Sequence, residues 1–451
     1  MPAPSIDLAQ ARLQFLYQLF QDLGELLQNR LRTYAQGESL SVDLDEVYRF
    51  PKGHPISSAL GLTELPIIDY YLLALALSPN LQPQLLDNLI SGALSGDSNF
   101  LELGGQRGKH FRGMIPTGET ALFLLAGNDL PLRLQVQAHF HPDYWLQRKR
   151  ILWLGEVEDG EPPFAGRLII SDEYLDLFSQ GFITPPRFSL RFPAQRIETS
   201  LEWDDLVLAR LTLSQIRDLE IWVKHHQTLM EDWGMKRTLK PGYRVLFHGP
   251  PGTGKTLTAS LLGKYTGKEV YKIDLSMIVS KFIGETEKNL ANLFARAENK
   301  DWILFFDEAD ALFGKRTQVR DAHDKYANQE VSYLLQRVEH YNGLVILATN
   351  FKNNIDEAFI RRFHSVIHFP LPRPEERQKL WEAAFPPQIK LREDVDFSNL
   401  ADKYELSGAE IMNIMQFCCL KSLANHDQTL GEATILEGIK REYLKEGRIM
   451  R

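Results

Sequence analysis

The spacing of apolar residues changes character along the chain. Over residues 5–36 apolar side chains recur every three or four positions, which predicts one amphipathic helix. A mixed but mainly helical pattern continues to residue 145. Short runs of β-prone residues follow at 151–155 and 167–171, separated by a turn-rich segment. These runs predict a hairpin within a compact β subdomain.

Beyond residue 200 short apolar runs alternate with amphipathic segments. The alternation predicts a parallel α/β sheet with helices on both faces. The expected strands are residues 244–248, 269–274, 302–306, 344–348 and 366–369. The expected helices beside them are residues 213–233, 257–264, 285–299 and 328–339. After these strands come four helical patterns, at residues 374–384, 397–404, 408–426 and 432–445.

These patterns predict three parts. A mixed α+β N-terminal region spans residues 1–199, helical over 1–145 and β-rich over 146–199. A large α/β subdomain over 200–371 and a small helical lid over 372–451 follow it. No motif in the N-terminal region indicates an activity, so its assignment to substrate or partner binding is made by analogy.

Composition excludes several classes of protein. With 44% hydrophobic and 24% charged residues the chain is expected to be globular, and its net charge of -8 argues against a surface that coats nucleic acid. The longest apolar run, residues 65–77, is too short to span a bilayer, and no signal-peptide pattern starts the chain. We therefore expect a cytoplasmic protein without membrane contact. The adjacent Cys418 and Cys419 are expected to be reduced thiols in a helix.

A glycine-rich segment joins the first predicted strand of the sheet to a helix. Residues 249–256 read Gly-Pro-Pro-Gly-Thr-Gly-Lys-Thr, the full pattern of a phosphate-binding loop, or P-loop. Backbone N–H groups of such a loop and the N-terminus of the next helix surround a polyphosphate. Lys255 is expected to reach the β- and γ-phosphates of ATP, and the Thr256 hydroxyl to bind Mg²⁺. The expected nucleotide-binding residues here are Gly249, Pro250, Pro251, Gly252, Thr253, Gly254, Lys255, Thr256 and Leu257.

Two adjacent carboxylates end another predicted strand. Asp307 and Glu308 follow the apolar run 303–306. Carboxyl ends of strands in an open α/β sheet are where such folds bind ligands. Asp307 is expected to hold Mg²⁺, and Glu308 to orient and deprotonate the water that attacks the γ-phosphate.

The order and spacing of these motifs resemble the AAA family of ATPases, P-loop enzymes that work as rings. The resemblance covers residues 200–451 and rests on the P-loop, Phe305 to Asp310, Ala348-Thr349-Asn350, Arg361-Arg362 and Ser407-Gly408-Ala409. Residues 358–363 and 369–372 are similar to the protein-remodelling clade that includes katanin. Residues 285–290 and 307–316 resemble bacterial AAA proteins encoded with phage-tail-like contractile injection systems.

The resemblance implies further catalytic residues. It makes Asn350 a polar sensor that helps to place the attacking water. Arg361 and Arg362 become arginine fingers that reach into a neighbouring subunit, where a guanidinium stabilises charge on the γ-phosphate. These two roles depend on a ring of subunits.

The resemblance also implies positions that contact the nucleotide or the substrate without taking part in hydrolysis. Gly408 and Ala409 are expected beside the base or ribose, and so is the backbone near Asp205 and Val207. Phe282, Ile283 and Gly284 align with the aromatic loop that lines the central pore of threading relatives, although Phe282 could instead pack beneath its own loop. Asp321, His323 and Asp324 lie close together in the sequence without a His or Cys partner, so we expect no metal beyond Mg²⁺.

Together these features predict an ATP-hydrolysing ring, a hexamer, that remodels, disassembles or threads a protein substrate with ATP and Mg²⁺ as cofactors. Two alternatives stay open. One is an AAA ATPase that acts on nucleic acid. The basic glycine-rich loop at 104–113 could bind nucleic-acid phosphates, although it could equally be a surface loop without a binding role. The other is a nucleotide-switched scaffold that binds ATP and rarely hydrolyses it.

Overall fold

The chain folds into two compact units, Met1–Pro186 and Arg187–Arg451. The computed structural model describes residues 6–38, 40, 42–93, 101–186, 188–189, 192–275, 285–298, 300–309, 332–350, 357–425, 427–445 and 447–448. Over this part of the chain, no helix combines the length and the apolar character needed to cross a membrane.

The first unit is mainly helical, as its sequence pattern predicts. Its helices are Ile6–Ala35, Pro55–Leu60, Ile67–Leu81, Leu85–Ala93, Gly118–Ala126, Leu130–Ala138, Trp145–Arg148 and Asp172–Gln180. Its strands form three short antiparallel pairs: β1 (Val47–Arg49) with β2 (Glu64–Pro66), β3 (Gln106–Arg107) with β4 (Met114–Ile115), and β5 (Leu152–Leu154) with β6 (Leu168–Ile170). Helices Ile67–Leu81 and Gly118–Ala126 are buried along almost their whole length and form the centre of the unit.

The region 146–199 differs from the expected β subdomain. Strands β5 and β6 pair as the hairpin pattern predicts, but Asp172–Gln180 forms a helix. Ser171 caps this helix by accepting a hydrogen bond from the Tyr174 N–H, and Gly181 ends it in the left-handed conformation. Its apolar side chains, spaced three and four apart, pack into the core of the first unit.

A six-stranded sheet organises the second unit and confirms the predicted α/β class. Its strands are β7 (Ala194–Ile197), β8 (Tyr243–His248), β9 (Val270–Ile273), β10 (Ile303–Phe306), β11 (Leu344–Thr349) and β12 (Ser365–His368). The spatial order is β12-β8-β11-β10-β9-β7. All neighbours run parallel except β7, which pairs antiparallel with β9. The first unit therefore ends before residue 199, because β7 belongs to this sheet.

Helices cover both faces of the sheet. They are Arg210–Met230, Lys255–Thr266, Glu285–Ala297, residues 332–340 and Glu357–Ile360. One face packs Ile216 and Leu262 against strand residues such as Phe305, and the other packs Phe294 and Leu334. Because both faces are buried, the central strands are continuous apolar runs, which is why their sequences are easy to recognise.

A small helical subdomain follows the sheet. Its helices are Pro374–Ala384, Phe397–Lys403, Gly408–Ala424 and Glu432–Lys445, with a short parallel pair, β13 (Lys390–Leu391) and β14 (Thr429–Leu430). Trp381 is fully buried at its centre. Cys418 is buried and Cys419 half-buried, both are free thiols, and burial raises the pKa of Cys418 to about 12.

Candidate nucleotide-binding site

The P-loop follows β8 and leads directly into helix Lys255–Thr266. Gly254 stands before this helix with φ of 93°, a left-handed conformation that favours glycine. Gly252 also has a positive φ, 75°, and its carbonyl accepts a hydrogen bond of 3.2 Å from the Ala409 N–H. The loop thus presents a helix N-terminus, where backbone N–H groups favour an anion, and also touches the helical subdomain.

Lys255 is buried within the loop that carries it. Its side chain is held by three oxygens: the ammonium donates to the carbonyls of Gly249 at 2.7 Å and Pro250 at 2.9 Å, and to the Asn350 side-chain oxygen at 3.0 Å. The residue is only 7% exposed. Asn350 comes directly after β11, which lies between β8 and β10, so the sheet order brings it to the P-loop.

Asp307 and Glu308 lie at the same edge of the sheet, directly after β10. The Asp307 carboxylate accepts from the Glu308 N–H at 3.0 Å and pairs with the Lys272 ammonium at 2.7 Å. Glu308 has φ of 50°, a left-handed conformation that is uncommon for a residue with a Cβ. The next N–H, that of Ala309, donates to the Ala348 carbonyl at 2.9 Å and ties this turn to β11.

These groups line one cavity of about 550 Å³. Its volume falls in the range of about 300–1,000 Å³ that is usual for small-molecule sites. Fourteen residues expected at the site are in its wall: Asp205, Val207, Pro251, Gly252, Thr253, Gly254, Lys255, Thr256, Leu257, Asp307, Glu308, Asn350, Gly408 and Ala409. The structure therefore brings together residues that are up to about 200 positions apart in the chain.

The remaining expected residues lie elsewhere. Gly249 and Pro250 are outside the wall but hold Lys255 through their carbonyls. Arg361 and Arg362 are exposed and do not line the cavity, and Arg362 pairs with Glu339 at 2.6 Å. Two expected groups lie outside the described residues: the pore loop Phe282, Ile283 and Gly284, and the polar trio Asp321, His323 and Asp324.

Sequence reasoning missed an apolar part of the wall. Leu206 and Leu208 flank Val207 on one side, and Leu380 and Met412 come from the helical subdomain on the other. The apolar run at 206–208 is a signal that could have been read, but nothing in the sequence places the two lid residues beside it. The resulting cavity has a polar floor at the P-loop and apolar walls, which suits a ligand with a phosphate end and a flat base.

The oxygen donors in the cavity fit Mg²⁺. Hard cations prefer carboxylate and hydroxyl oxygens, and Asp307 and Thr256 both line the cavity close to the P-loop. In the described part of the chain, no cluster of three or more His, Cys, Asp or Glu residues has the arrangement of a metal site. Mg²⁺ bound here would therefore rely on few protein ligands and on the phosphates, which is usual for this ion.

Part of the second unit resembles a known family of ATPases. Residues 245–371 match the family model described as "ATPase family associated with various cellular activities (AAA)". Similar proteins include proteasome-activating nucleotidase 2 of Halobacterium salinarum, 36% identical over 39% of this chain and 44% of that protein. A Mus musculus protein named for its likeness to the katanin p60 ATPase is 32% identical over 50% of this chain and 47% of its own length.

A third relative extends the range of organisms. Fidgetin-like protein 1 of Drosophila melanogaster is 34% identical over 41% of this chain and 36% of its own length. This chain thus spans less than half the length of each of these relatives. The matched family segment contains the P-loop, Asp307, Glu308, Asn350 and the arginine pair. The part of the chain that contains the P-loop and the two carboxylates, residues 245–371, is therefore similar to the AAA family of ATPases.

Proposed function

We propose that the protein hydrolyses ATP with Mg²⁺ as a hexameric ring and uses the hydrolysis to remodel, disassemble or thread a protein substrate. The observation that carries the ATPase part is the convergence of Lys255, Thr256, Asp307, Glu308 and Asn350 on one cavity. They come from the carboxyl ends of three adjacent strands, β8, β11 and β10. The match of residues 245–371 to a family of ATPases supports the same chemistry.

Each residue has a distinct proposed task. Lys255 neutralises the β- and γ-phosphates, while Thr256 and Asp307 hold Mg²⁺, which supplies charge neutralisation when bound. Glu308 orients and deprotonates the attacking water, and Asn350 helps to place that water. In this arrangement catalysis depends on positions and charges rather than on a covalent intermediate.

Residues outside the cavity are proposed to serve the neighbouring subunit and to bind the substrate. Arg361 and Arg362 are exposed on the second unit, as groups that serve a neighbouring subunit must be. We propose that the first unit, Met1–Pro186, recognises the substrate and that Phe282, Ile283 and Gly284 grip it in the pore. We also propose a role in a contractile injection system, from the sequence resemblance of residues 285–290 and 307–316, and a cytoplasmic location.

Three full-length variants test the proposal. Glu308→Gln should bind ATP but lose turnover by a factor of roughly a thousand or more, whereas Lys255→Ala should lose ATP affinity. Glu298→Gln is a matched control, because Glu298 is an exposed acid outside the cavity. Equal loss of ATP binding in Glu308→Gln and Lys255→Ala would contradict the separate roles.

Mass photometry of Glu308→Gln with and without ATP tests the ring. The proposal expects a species of about six times the 51.8 kDa monomer mass when ATP is present. A persistent monomer at saturating ATP would leave the ATP site standing and favour the nucleotide-switched scaffold.

One observation keeps a nucleic-acid substrate as the second candidate. Strands β3 and β4 form a hairpin in the first unit whose basic side chains Arg107, Lys109 and Arg112 are exposed. Stimulation of ATP hydrolysis by DNA or RNA, steeply reduced by salt, would favour this candidate over a protein substrate.

A further inference from the structure

The two adjacent arginines of the second unit have different surroundings. The Arg362 guanidinium lies 2.6 Å from the Glu339 carboxylate, and the two side chains are 49% and 26% exposed. Arg361 is also exposed, and its side chain has no hydrogen-bond or ion-pair partner among the residues that the structure describes. The pair therefore contains one engaged guanidinium and one that faces solvent.

Glu339 is itself fixed to the strand that leads into the P-loop. It lies near the end of the helix over residues 332–340, and its backbone carbonyl accepts a hydrogen bond of 2.8 Å from the Arg244 guanidinium. Arg244 belongs to β8 and is 5% exposed. A buried arginine with a partner at this distance holds the end of the helix in a defined place relative to β8.

The segment that carries the arginines is fixed to the same strand residue. The His364 N–H donates to the Arg244 carbonyl at 2.9 Å, and the Arg244 N–H donates to His364 Nδ1 at 3.1 Å. On the other side of the arginines, Phe359 is buried and its carbonyl accepts from the Arg362 N–H at 2.9 Å. The turn over residues 359–364 is thus held at both ends, and the Glu339–Arg362 ion pair holds its middle.

We infer that Glu339 is a positioning residue for ATP hydrolysis: it holds Arg362, which fixes the turn and leaves Arg361 as the guanidinium that reaches the neighbouring subunit. The inference rests on the proposed ring ATPase and separates two arginines to which the sequence gives one role. It also assigns a task to Glu339, which lies outside the cavity.

The inference predicts unequal losses of turnover. Arg361→Ala should lower kcat by roughly a thousandfold or more, the range for an arginine finger. Arg362→Ala and Glu339→Gln should each lower kcat by roughly tenfold, within the loss of up to about a hundredfold that a misplaced group causes. In both of these variants KM for ATP should stay within about twofold of the wild-type value, because neither the Arg362 nor the Glu339 side chain lines the cavity.

A charge exchange provides the sharpest test. Arg362→Glu alone places two acids together and should be slower than Arg362→Ala, whereas adding Glu339→Arg restores an ion pair and should recover at least about fivefold in kcat. The double variant Arg362→Ala with Glu339→Gln should be no slower than either single variant, because both remove the same contact. All variants keep the Glu339 backbone carbonyl and its bond to Arg244.

Melting temperature and oligomeric mass are measured on every full-length variant. Exposed ion pairs contribute little to folding stability, so a merely structural role would not produce a tenfold loss of kcat at an unchanged melting temperature. The inference is overturned if the charge exchange recovers nothing and Arg362→Ala is as slow as Arg361→Ala, since Arg362 itself would then act in the neighbouring site. A wild-type protein that hydrolyses no ATP overturns the proposed function instead, and the inference falls with it.

Discussion

The ammonium of Lys255 and the side-chain oxygen of Asn350 lie 3.0 Å apart, although 95 positions separate the two residues in the chain. This contact joins the loop after β8 to the end of β11. The P-loop lysine therefore has a side-chain partner on the neighbouring strand, and a phosphate that binds Lys255 must compete with that partner.

The contact predicts different outcomes for its two members. Lys255→Ala should raise the dissociation constant for ATP at least about tenfold, because a charge-assisted contact with the phosphates is lost. Asn350→Ala should leave ATP affinity within about threefold but lower kcat by roughly ten- to a hundredfold, because the attacking water is no longer placed. Fluorescent-nucleotide titration and steady-state kinetics measure the two effects.

Lys268→Ala is the matched control for this pair. Lys268 is a lysine of the second unit that pairs with Asp301 and does not line the cavity. It should change neither the affinity for ATP nor kcat. An Asn350→Ala variant with wild-type kcat would contradict the role of Asn350 in hydrolysis.

The contact between the P-loop and the helical subdomain predicts a specific effect at Gly252. A Cβ added there would lie 2.7 Å from Ser407 Oγ and 2.8 Å from the Ala409 Cβ. Gly252→Ala should therefore lower both ATP affinity and the melting temperature. Gly267→Ala provides the control, because Gly267 has φ of 68° and no atom within 4 Å of an added Cβ.

The comparison separates backbone strain from the clash. Gly267→Ala should cost about 1–2 kcal/mol of unfolding free energy and leave ATP affinity unchanged. Gly252→Ala should carry the same strain and, in addition, displace the loop from the lid. Equal effects of the two substitutions on ATP affinity would show that the contact with Ala409 does not shape the site.

The ion pair between Lys272 and Asp307 predicts a change in the requirement for Mg²⁺. The Lys272 ammonium lies 2.7 Å from the Asp307 carboxylate, which is expected to hold Mg²⁺. Because the ammonium and Mg²⁺ are both positively charged, they compete for this carboxylate. Lys272→Met should therefore lower the Mg²⁺ concentration for half-maximal hydrolysis by about threefold, which corresponds to the ~0.6 kcal/mol typical of partly exposed pairs. Lys268→Met is the control, and an unchanged or higher Mg²⁺ requirement in Lys272→Met would refute the competition.

A buried histidine in the first unit predicts sensitivity to acid. His54 is 4% exposed beside the rings of Phe15 and Phe50, and burial lowers its pKa, opposed in part by a contact with the Ala11 carbonyl. The unfolded chain, with a histidine pKa of about 6.5, then binds more protons than the folded chain in mildly acidic solution. The contribution of His54 to the free energy of unfolding is therefore fully retained above about pH 6.5, and it is lost as the pH falls from there toward the lower pKa of the folded state.

Calorimetry at about pH 7.5 and about pH 5.5 measures this loss in the first unit. His54→Gln removes the titrating group and should reduce the difference between the two melting temperatures, even if it lowers both. His141→Gln serves as the control, because His141 is exposed in the same unit. A pH difference that is the same in wild type and His54→Gln would exclude His54 as its source.

The sequence predicted the sheet and the floor of the site because their signals are local. Buried parallel strands are continuous apolar runs, and the P-loop is a contiguous pattern that includes its own lysine and threonine. Asp307 was predictable by its position at a strand end, since the carboxyl ends of parallel strands share one edge, whereas Asn350 was predictable only through the resemblance to the AAA family.

Features that depend on distant partners were not predictable. The edge strand β7 joins the sheet only through β9, more than seventy residues later, so its sequence gives no sign of which unit it belongs to. The apolar contribution of Met412 and the ion pair of Glu339 likewise require folded neighbours. Helix Asp172–Gln180 is a different case, because its Ser171 cap and its terminal Gly181 are local signals, although the β-prone runs before it predict a β subdomain.

The antiparallel pairing of β7 and β9 has a mechanical consequence. Ala194 lies opposite Ile273 and Ile197 opposite Val270, so the N-terminal end of β7 adjoins the C-terminal end of β9. A tensile load applied along β7 would act on the backbone hydrogen bonds of this pair in shear, so that they resist together instead of opening one at a time. The edge strand β7 would therefore resist a pull along its own length better than a pull that peels it away from β9.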